Sequence, residues 1–336
     1  MNLENLKFSI IIPVFNRAEE LKELLESLAS QTYKSFEVIV VEDGSEIESE
    51  EVVKSFEGKL THFYFKKPNS GPGLSRNFGV EHSNTDYFIF FDSDCVIPPE
   101  YLSNVVDFLK NHPADSFGGP DRFHENFTPV QKAIGYAMSS FLTTGGIRGG
   151  NKSMEKFHPR SFNMGFTREV YNKTKGFSSI RFGEDIDLSI RIEQAGFDSS
   201  LIPNAYVFHK RRTDFRKFFK QVFNSGIARI NLYKRHSHSL KLVHFLPSLF
   251  VIYTVLAVLL SLITFNLIPL IPFIVYSILI CIAAAFEFKE LKLIWLSLLA
   301  SYVQLFGYGT GFLLGVWNRL ILRKGEFEAF KRNFYK

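Results

Sequence analysis

Uncharged apolar blocks alternate with amphipathic stretches from Phe8 to His209. Phe8–Asn16 reads as a buried strand closing in a loop, and Leu21, Leu24, Leu25 and Leu28 then recur at helical spacing with Glu and Lys on the other face. Phe36–Ser45 predicts a second strand running into a carboxylate and a tight turn. Ser49–Phe56 predicts a short amphipathic helix and His62–Phe65 a third strand. Such repetition predicts a parallel sheet with right-handed crossovers. Pro68–Gly79 reads as a Gly- and Pro-rich loop with a helix starting near Pro72 or Gly73. Tyr87–Phe91 carries no charge and predicts a strand buried on both faces, and Pro99–Lys110 predicts a helix.

Beyond Pro120 the pattern loosens. Thr128–Thr144 reads as one amphipathic helix with Val130, Ile134, Met138, Phe141 and Leu142 on its apolar face, either a core helix or one facing a membrane or an acceptor. Gly145–Pro159 predicts a mobile loop over a site. Ser161–Phe166 is strand-like, Glu184–Ile192 is helical, and Ala205–His209 is a last short strand.

From Phe245 the pattern changes. Phe245–Phe265 and Ile268–Phe286 are apolar spans, and Leu291–Leu322 is a third, interrupted by Gly307, Gly309, Gly311 and Gly315. A span of about 20 apolar residues crosses a bilayer core. The turn Asn266-Leu267 is uncharged and His209–Lys241 is basic, which puts the N-terminal part on the cytosolic side. Three full crossings would put Arg319, Arg323, Lys324, Lys331, Arg332 and Lys336 outside. A third helix bending back at its glycines would keep them in, and the topology of that helix stays open. Gly307, Gly311 and Gly315 are four apart, a spacing that permits close helix packing. The expected organisation is a cytosolic α/β domain over 1–235 and a membrane region over 236–336 with a basic tail.

The net charge is +5 over 336 residues, with basic residues crowded into His209–Arg235 and Arg319–Lys336. That asymmetry points to membrane lipids or a phosphorylated substrate, and no nucleic-acid module is present. Cys95 and Cys281 are the two cysteines, which excludes a disulfide framework and fits a reducing compartment. Met1–Lys7 is polar and has no signal-peptide pattern.

The chemistry sits where strands end. Asp92-Ser93-Asp94 follows a buried strand, and ligands of open α/β sheets collect at the carboxyl ends of strands. Such a pair suits Mg2+ or Mn2+ with phosphate as the other ligand, although Asp-Ser-Asp is also ordinary turn chemistry. The helix start near Pro72, with Arg76 soon after, suits a diphosphate. It lacks the P-loop Gly-Lys-Ser/Thr and the dinucleotide GxGxxG. Glu184, Asp185 and Asp187 share the first turn of a helix, more acid than a cap requires.

Asp43, Gly71 with Arg76-Asn77, Asp92-Ser93-Asp94, Asn163-Met164 and Gly183–Leu188 occur in an order and spacing that resembles family 2 glycosyltransferases, over roughly residues 8–235. The resemblance implies the GT-A fold, a Rossmann-like, mostly parallel sheet with flanking helices, and inverting, metal-dependent hexosyl transfer from a nucleotide sugar, with a UDP-sugar favoured. It implies that Asp43 accepts the N3–H of a uracil-like base and that Pro13, Phe15 and Arg17 flank the nucleotide. Arg76 would lie near the base or diphosphate, and Asp92 and Ser93 at the ribose or sugar. Asp94 would bind the divalent metal, with Asp92 and His209 completing its shell. Asp185 would be the general base, with Glu184 the runner-up. Processive relatives carry Gln-x-x-Arg-Trp, whereas Phe219–Gly226 has no Trp, which favours one sugar per visit. Lys210, Arg211, Arg212, Arg216, Lys217 and Lys220 form a basic face, suited to membrane anchoring or to a diphosphate lipid. The expected acceptor is a hydroxyl of a lipid-linked or cell-surface glycan precursor at the cytoplasmic membrane. The rivals are a polyprenyl-phosphate sugar transferase and a catalytically silent scaffold that binds sugar nucleotide.

Overall fold

The computed structural model describes residues 6–122, 124, 126–145, 157–210 and 212–329. The loop expected at 145–159 lies mostly outside the described residues, as do Arg211, Lys331, Arg332 and Lys336. In chain order the elements begin with β1 (Phe8–Val14), α1 (Ala18–Ala29), β2 (Phe36–Asp43), α2 (Glu50–Lys54), β3 (His62–Lys67) and α3 (Pro72–Glu81). There follow β4 (Tyr87–Phe90), β5 (Cys95–Val96), α4 (Tyr101–Asn111), β6 (Ser116–Gly118) and β7 (Asp121–Arg122). Then come α5 (Pro129–Ser139), α6 (Phe141–Thr144), β8 (Met164–Thr167), α7 (Arg168–Thr174), α8 (Glu184–Gln194), β9 (Ser199–Leu201) and β10 (Val207–His209). The chain continues through α9 (Phe215–Arg235), α10 (Leu246–Thr264), α11 (Ile271–Glu287) and α12 (Leu291–Val316). Packing divides it into two compact units, Met1–His124 with Lys156–Lys210, and Glu125–Glu155 with Arg211–Lys336.

In the first unit a seven-stranded sheet runs in the order β3-β2-β1-β4-β8-β6-β9. The β1, β2, β3 and β4 strands are parallel neighbours, and β8 runs antiparallel between β4 and β6. Alternate residues feed opposite faces. Ile10, Ile12, Val38, Val40 and Ile89 pack with the leucines of α1 and with α4. Ile11, Ile39, Val41, Phe88 and Phe90 pack against Val80 of α3 and against Leu188 and Ile192 of α8. Helices on both faces explain why these strands read as continuous apolar runs. A residue such as Phe90, fully buried between α3, α8 and β8, contributes about 3–5 kcal/mol when judged by truncation to Ala. The parallel register, Val14 beside Glu42 and Asp43 beside Lys67, brings the carboxyl ends of β1, β2 and β3 to one edge. A second sheet, β5-β10-β7, lies in the same unit.

In the second unit the core joins α5, α9 and α12 through Ala133, Ile134, Ala137, Met138, Phe218, Val222 and Ala300. The Thr128–Thr144 stretch is therefore a core helix here, and it is two helices. Thr128 opens α5 with a capping box to Gln131, and Ser140 breaks it with extended backbone (ψ 135) before α6. The glycines of α12 are contact points, not bends, and the helix runs unbroken through them. A Cβ on Gly311 would stand 2.0 Å from the Phe223 carbonyl oxygen, and one on Gly226 would stand 2.3 Å from that of Tyr308. Backbones of α9 and α12 thus touch, as small-residue helix pairs do. This contact puts Phe215–Arg235 in the same compact unit as the C-terminal helices. Three helices are long and apolar enough to cross a membrane, Leu242–Thr264, Ile268–Glu287 and Leu291–Ile321.

Candidate functional site

Asp43 ends β2, and its buried carboxylate organises the next loop. One oxygen accepts from Lys67 Nζ (2.7 Å) and the Ser70 N–H (2.9 Å), the other from the Gly71 N–H (2.9 Å). Gly44 makes the turn possible, with φ +75 and no room for a Cβ beside the Asn69 nitrogen. The Pro68–Gly71 loop is thereby fixed just before α3. Pro13 is buried near the end of β1, and Phe15 and Arg17 follow it half-buried.

Asp94 stands between Arg17 and the His209 ring. Arg17 Nη1 donates to its Oδ2, and His209 Nε2 lies 3.3 Å from its Oδ1. Burial by itself would push this carboxyl up. The Arg17 guanidinium and the His209 ring instead hold it well below the usual carboxylate range, and Asp94 in turn raises the Arg17 pKa. The His209 ring packs on the Phe162 ring at 4.6 Å between centroids. Asp94 Oδ1 and His209 Nδ1 are both buried without a hydrogen-bond partner. Two orphaned donor atoms of this kind, one carboxylate and one imidazole, fit a divalent cation.

Arg76, expected beside a base or diphosphate, is fully buried and faces two acids. Its Nη2 donates to Asp92 Oδ1 at 2.5 Å and its Nη1 to Glu184 Oε1 at 3.4 Å, with the guanidinium 5.1 Å from the Phe177 ring. One side chain thus ties the end of β4 to the start of α8, across 92 residues of sequence. Burial and the neighbouring Asp185 push the Glu184 carboxyl up to about 8, against the pull of Arg76. Burial is the larger cause, and Arg76, committed more closely to Asp92, offsets it only in part.

Asp185 accepts from the Ile186 N–H (2.8 Å), and its other oxygen lies 3.6 Å from Arg160 Nη1. Asp187, the third acid of the turn, does not join this group. It pairs with Arg191 at 2.8 Å, which donates to the Thr174 and Gly176 carbonyls and locks α8 to the end of α7. Ser93 is buried between the two acids of its motif. Sequence reasoning missed the partners Lys67, Arg160 and Phe177, which lie far from the residues they contact. It also missed that Cys95 sits opposite His209 in the ladder between β5 and β10.

Residues 9–174 match the model of glycosyl transferase family 2. The chain is 39% identical over 111 residues to an uncharacterized glycosyltransferase of Rickettsia conorii, covering 32% of this chain and 18% of that protein. It is 33% identical over 114 residues to the poly(ribitol-phosphate) beta-N-acetylglucosaminyltransferase TarS of Staphylococcus aureus, covering 33% of this chain and 20% of that protein. The matched segments thus span a fifth or less of these two relatives. Among solved structures, a mannosyltransferase from Pyrobaculum calidifontis in complex with GDP-Man and Mn2+ superposes with a TM-score of 0.62 at 15% identity. That likeness, which covers 93% of this chain and 88% of the other, is one of fold.

Proposed function

Since residues 9–174 belong to glycosyl transferase family 2, we propose that this chain moves a sugar from a UDP-sugar to a hydroxyl of a lipid-linked or cell-surface glycan precursor, with inversion and one sugar per visit. The observation that carries the reading is Arg76, which draws Asp92 and Glu184 into one cluster with Asp185 alongside. A donor-binding edge and a proton-accepting group then share one site.

Asp43 supports a uracil base. Both lone-pair directions of its Oδ1 are taken by Lys67 and Ser70, and Oδ2 accepts one bond, from Gly71. One acceptor direction remains, which suits the single imide N–H of uracil better than the two-donor edge of guanine. Asp94 and His209 would hold a divalent cation, with Asp92 near it. A bound Mg2+ or Mn2+ supplies Lewis-acid stabilisation of the leaving diphosphate. Arg17 keeps Asp94 ionised and oriented. Glu184, holding its proton near neutrality, is suited to donating a hydrogen bond, which leaves Asp185 to take the acceptor's proton. General-base help of this kind is worth about 10²–10⁴-fold.

Membrane attachment rests on α10 and α11, whose outer faces expose Leu256, Leu259, Ile263, Ile274, Ile278 and Ile282. α12 is partly covered by α5 and α9, which favours the α10–α11 pair as the lipid-facing element. The expected setting is the cytoplasmic membrane, with the site on the cytosolic side.

The test is a panel of nucleotide sugars offered to purified protein with and without Mn2+. The reading expects metal-dependent release of UDP from one UDP-sugar, and no release from any donor would overturn it. Full turnover by Asp185→Asn would shift the acceptor from a hydroxyl to a polyprenyl phosphate, which needs no general base.

A further inference from the structure

We propose that the cation corner of this site carries a thiol ligand, Cys95, which lets thiophilic ions such as Zn2+ and Cd2+ compete for it. The inference rests on the metal reading above and extends it to a residue that reading does not use. β5 and β10 run antiparallel with Cys95 directly opposite His209. Directly opposed residues on neighbouring strands project to the same face, with Cβ atoms about 4.5–5.5 Å apart. Asp94 immediately precedes Cys95, and one ligand atom from each of Asp94, Cys95 and His209 lies within 4.8 Å of the other two. Phe162 fixes both partners of the pair. Its ring packs on the imidazole, and its carbonyl accepts from the Cys95 thiol at 3.7 Å.

A carboxylate with diphosphate oxygens suits the hard ions Mg2+ and Mn2+, whereas imidazole and thiolate favour softer ones. The same corner therefore offers two ligand sets. Asp94 and His209 leave positions open for a diphosphate. Asp94, His209 and Cys95 together would give Zn2+ three protein ligands of mixed O, N and S type, leaving the fourth position to water. Capture forms a sulfur–metal bond and releases the thiol proton to solvent, with no change of oxidation state. An ion held this way has fewer positions left for the donor, so Zn2+ and Cd2+ act as inhibitors competitive with Mn2+.

The experiment uses the full chain in detergent, stripped of metal with a chelator and titrated with Cd2+. Wild-type protein and Cys281→Ser, which leaves Cys95 as the only thiol, should each give one thiolate-to-cadmium charge-transfer band per chain. Cys95→Ser should give none and bind Cd2+ about 10–100-fold more weakly, at least the loss that an outer-shell change brings. Mn2+ affinity should change less than Cd2+ affinity. Cadmium NMR of the unmutated protein is a second readout that needs no variant, and a resonance in the sulfur-ligated range is expected. A band that survives in Cys95→Ser, or a cadmium resonance typical of oxygen and nitrogen ligands alone, overturns the inference while the metal reading stands. If the protein also fails to bind Mn2+, followed by electron paramagnetic resonance, both fall.

Discussion

Replacing Arg76 by Met tests the buried cluster with little change of volume. Arg76 is 1% exposed and is the one cation bonded to Asp92 and Glu184 among the described residues. Met keeps the apolar contact with Phe177 but takes the bonded cation away from Asp92 and Glu184, while Asp185 keeps Arg160. Removing one partner of a buried pair costs about 3–5 kcal/mol. Asp92, whose side chain is 31% exposed, keeps part of its hydration, so the cost here should lie at or below the lower end of that range. Tryptophan fluorescence does not report on this unit, because Trp295 and Trp317 both lie in the C-terminal helices. Hydrogen exchange of peptides covering α3 and β4 does. Opening free energies in Arg76→Met should fall by about 2–3 kcal/mol. A loss below about 1 kcal/mol, the ordinary scale of a surface change, would refute the argument.

Glu184→Gln should remove a pH slope. The Glu184 carboxyl is raised from 4.5 to about 8, so between those values the folded chain keeps a proton that the unfolded chain has lost, and stability falls as pH rises. Hydrogen exchange of the α8 peptides should show the Gln variant gaining on wild type from pH 5 to pH 8, and parallel profiles would contradict the assignment. Asp185→Asn should lower turnover about 10²–10⁴-fold while UDP-sugar affinity, measured calorimetrically, stays near that of wild type. Gly311→Ala puts a methyl 2.0 Å from the Phe223 carbonyl and must part α9 from α12. It should cost about 1–3 kcal/mol, seen as a lower unfolding midpoint in Trp295 and Trp317 fluorescence.

The long strands were legible because helices cover both faces of the sheet, whereas their order in the sheet was not. Phe8–Val14, Phe36–Asp43 and Tyr87–Phe90 had no polar face to confuse with a helix. The strands β5, β6, β7 and β9 have two or three residues each, too few to show a period, and only the ladder reveals them. Asp43, Asp92, Asp94, Glu184 and Asp185 stood out as acids at strand and helix ends. Their pairings did not. Arg76 stood out in sequence as a diphosphate ligand, and only the fold shows it turned inward onto two carboxylates. Of the three acids at 184–187, Asp187 had no site role in the sequence reading, and it serves Arg191 at the i+4 position, a pairing readable from spacing alone. Thr128–Ser139 has an apolar stripe that suits a core or a membrane equally, and what covers it, α9 and α12, comes from far along the chain.

The central claim is that a divalent ion and the nucleotide diphosphate meet at Asp94 and His209, next to the acids of α8. Anomalous diffraction from Mn2+ in crystals grown with UDP tests it most directly. The account predicts one strong peak within bonding distance of Asp94 and His209, lost in Asp94→Asn. A Mn2+ peak bonded to UDP but away from Asp94, or one that survives Asp94→Asn unchanged, would contradict it.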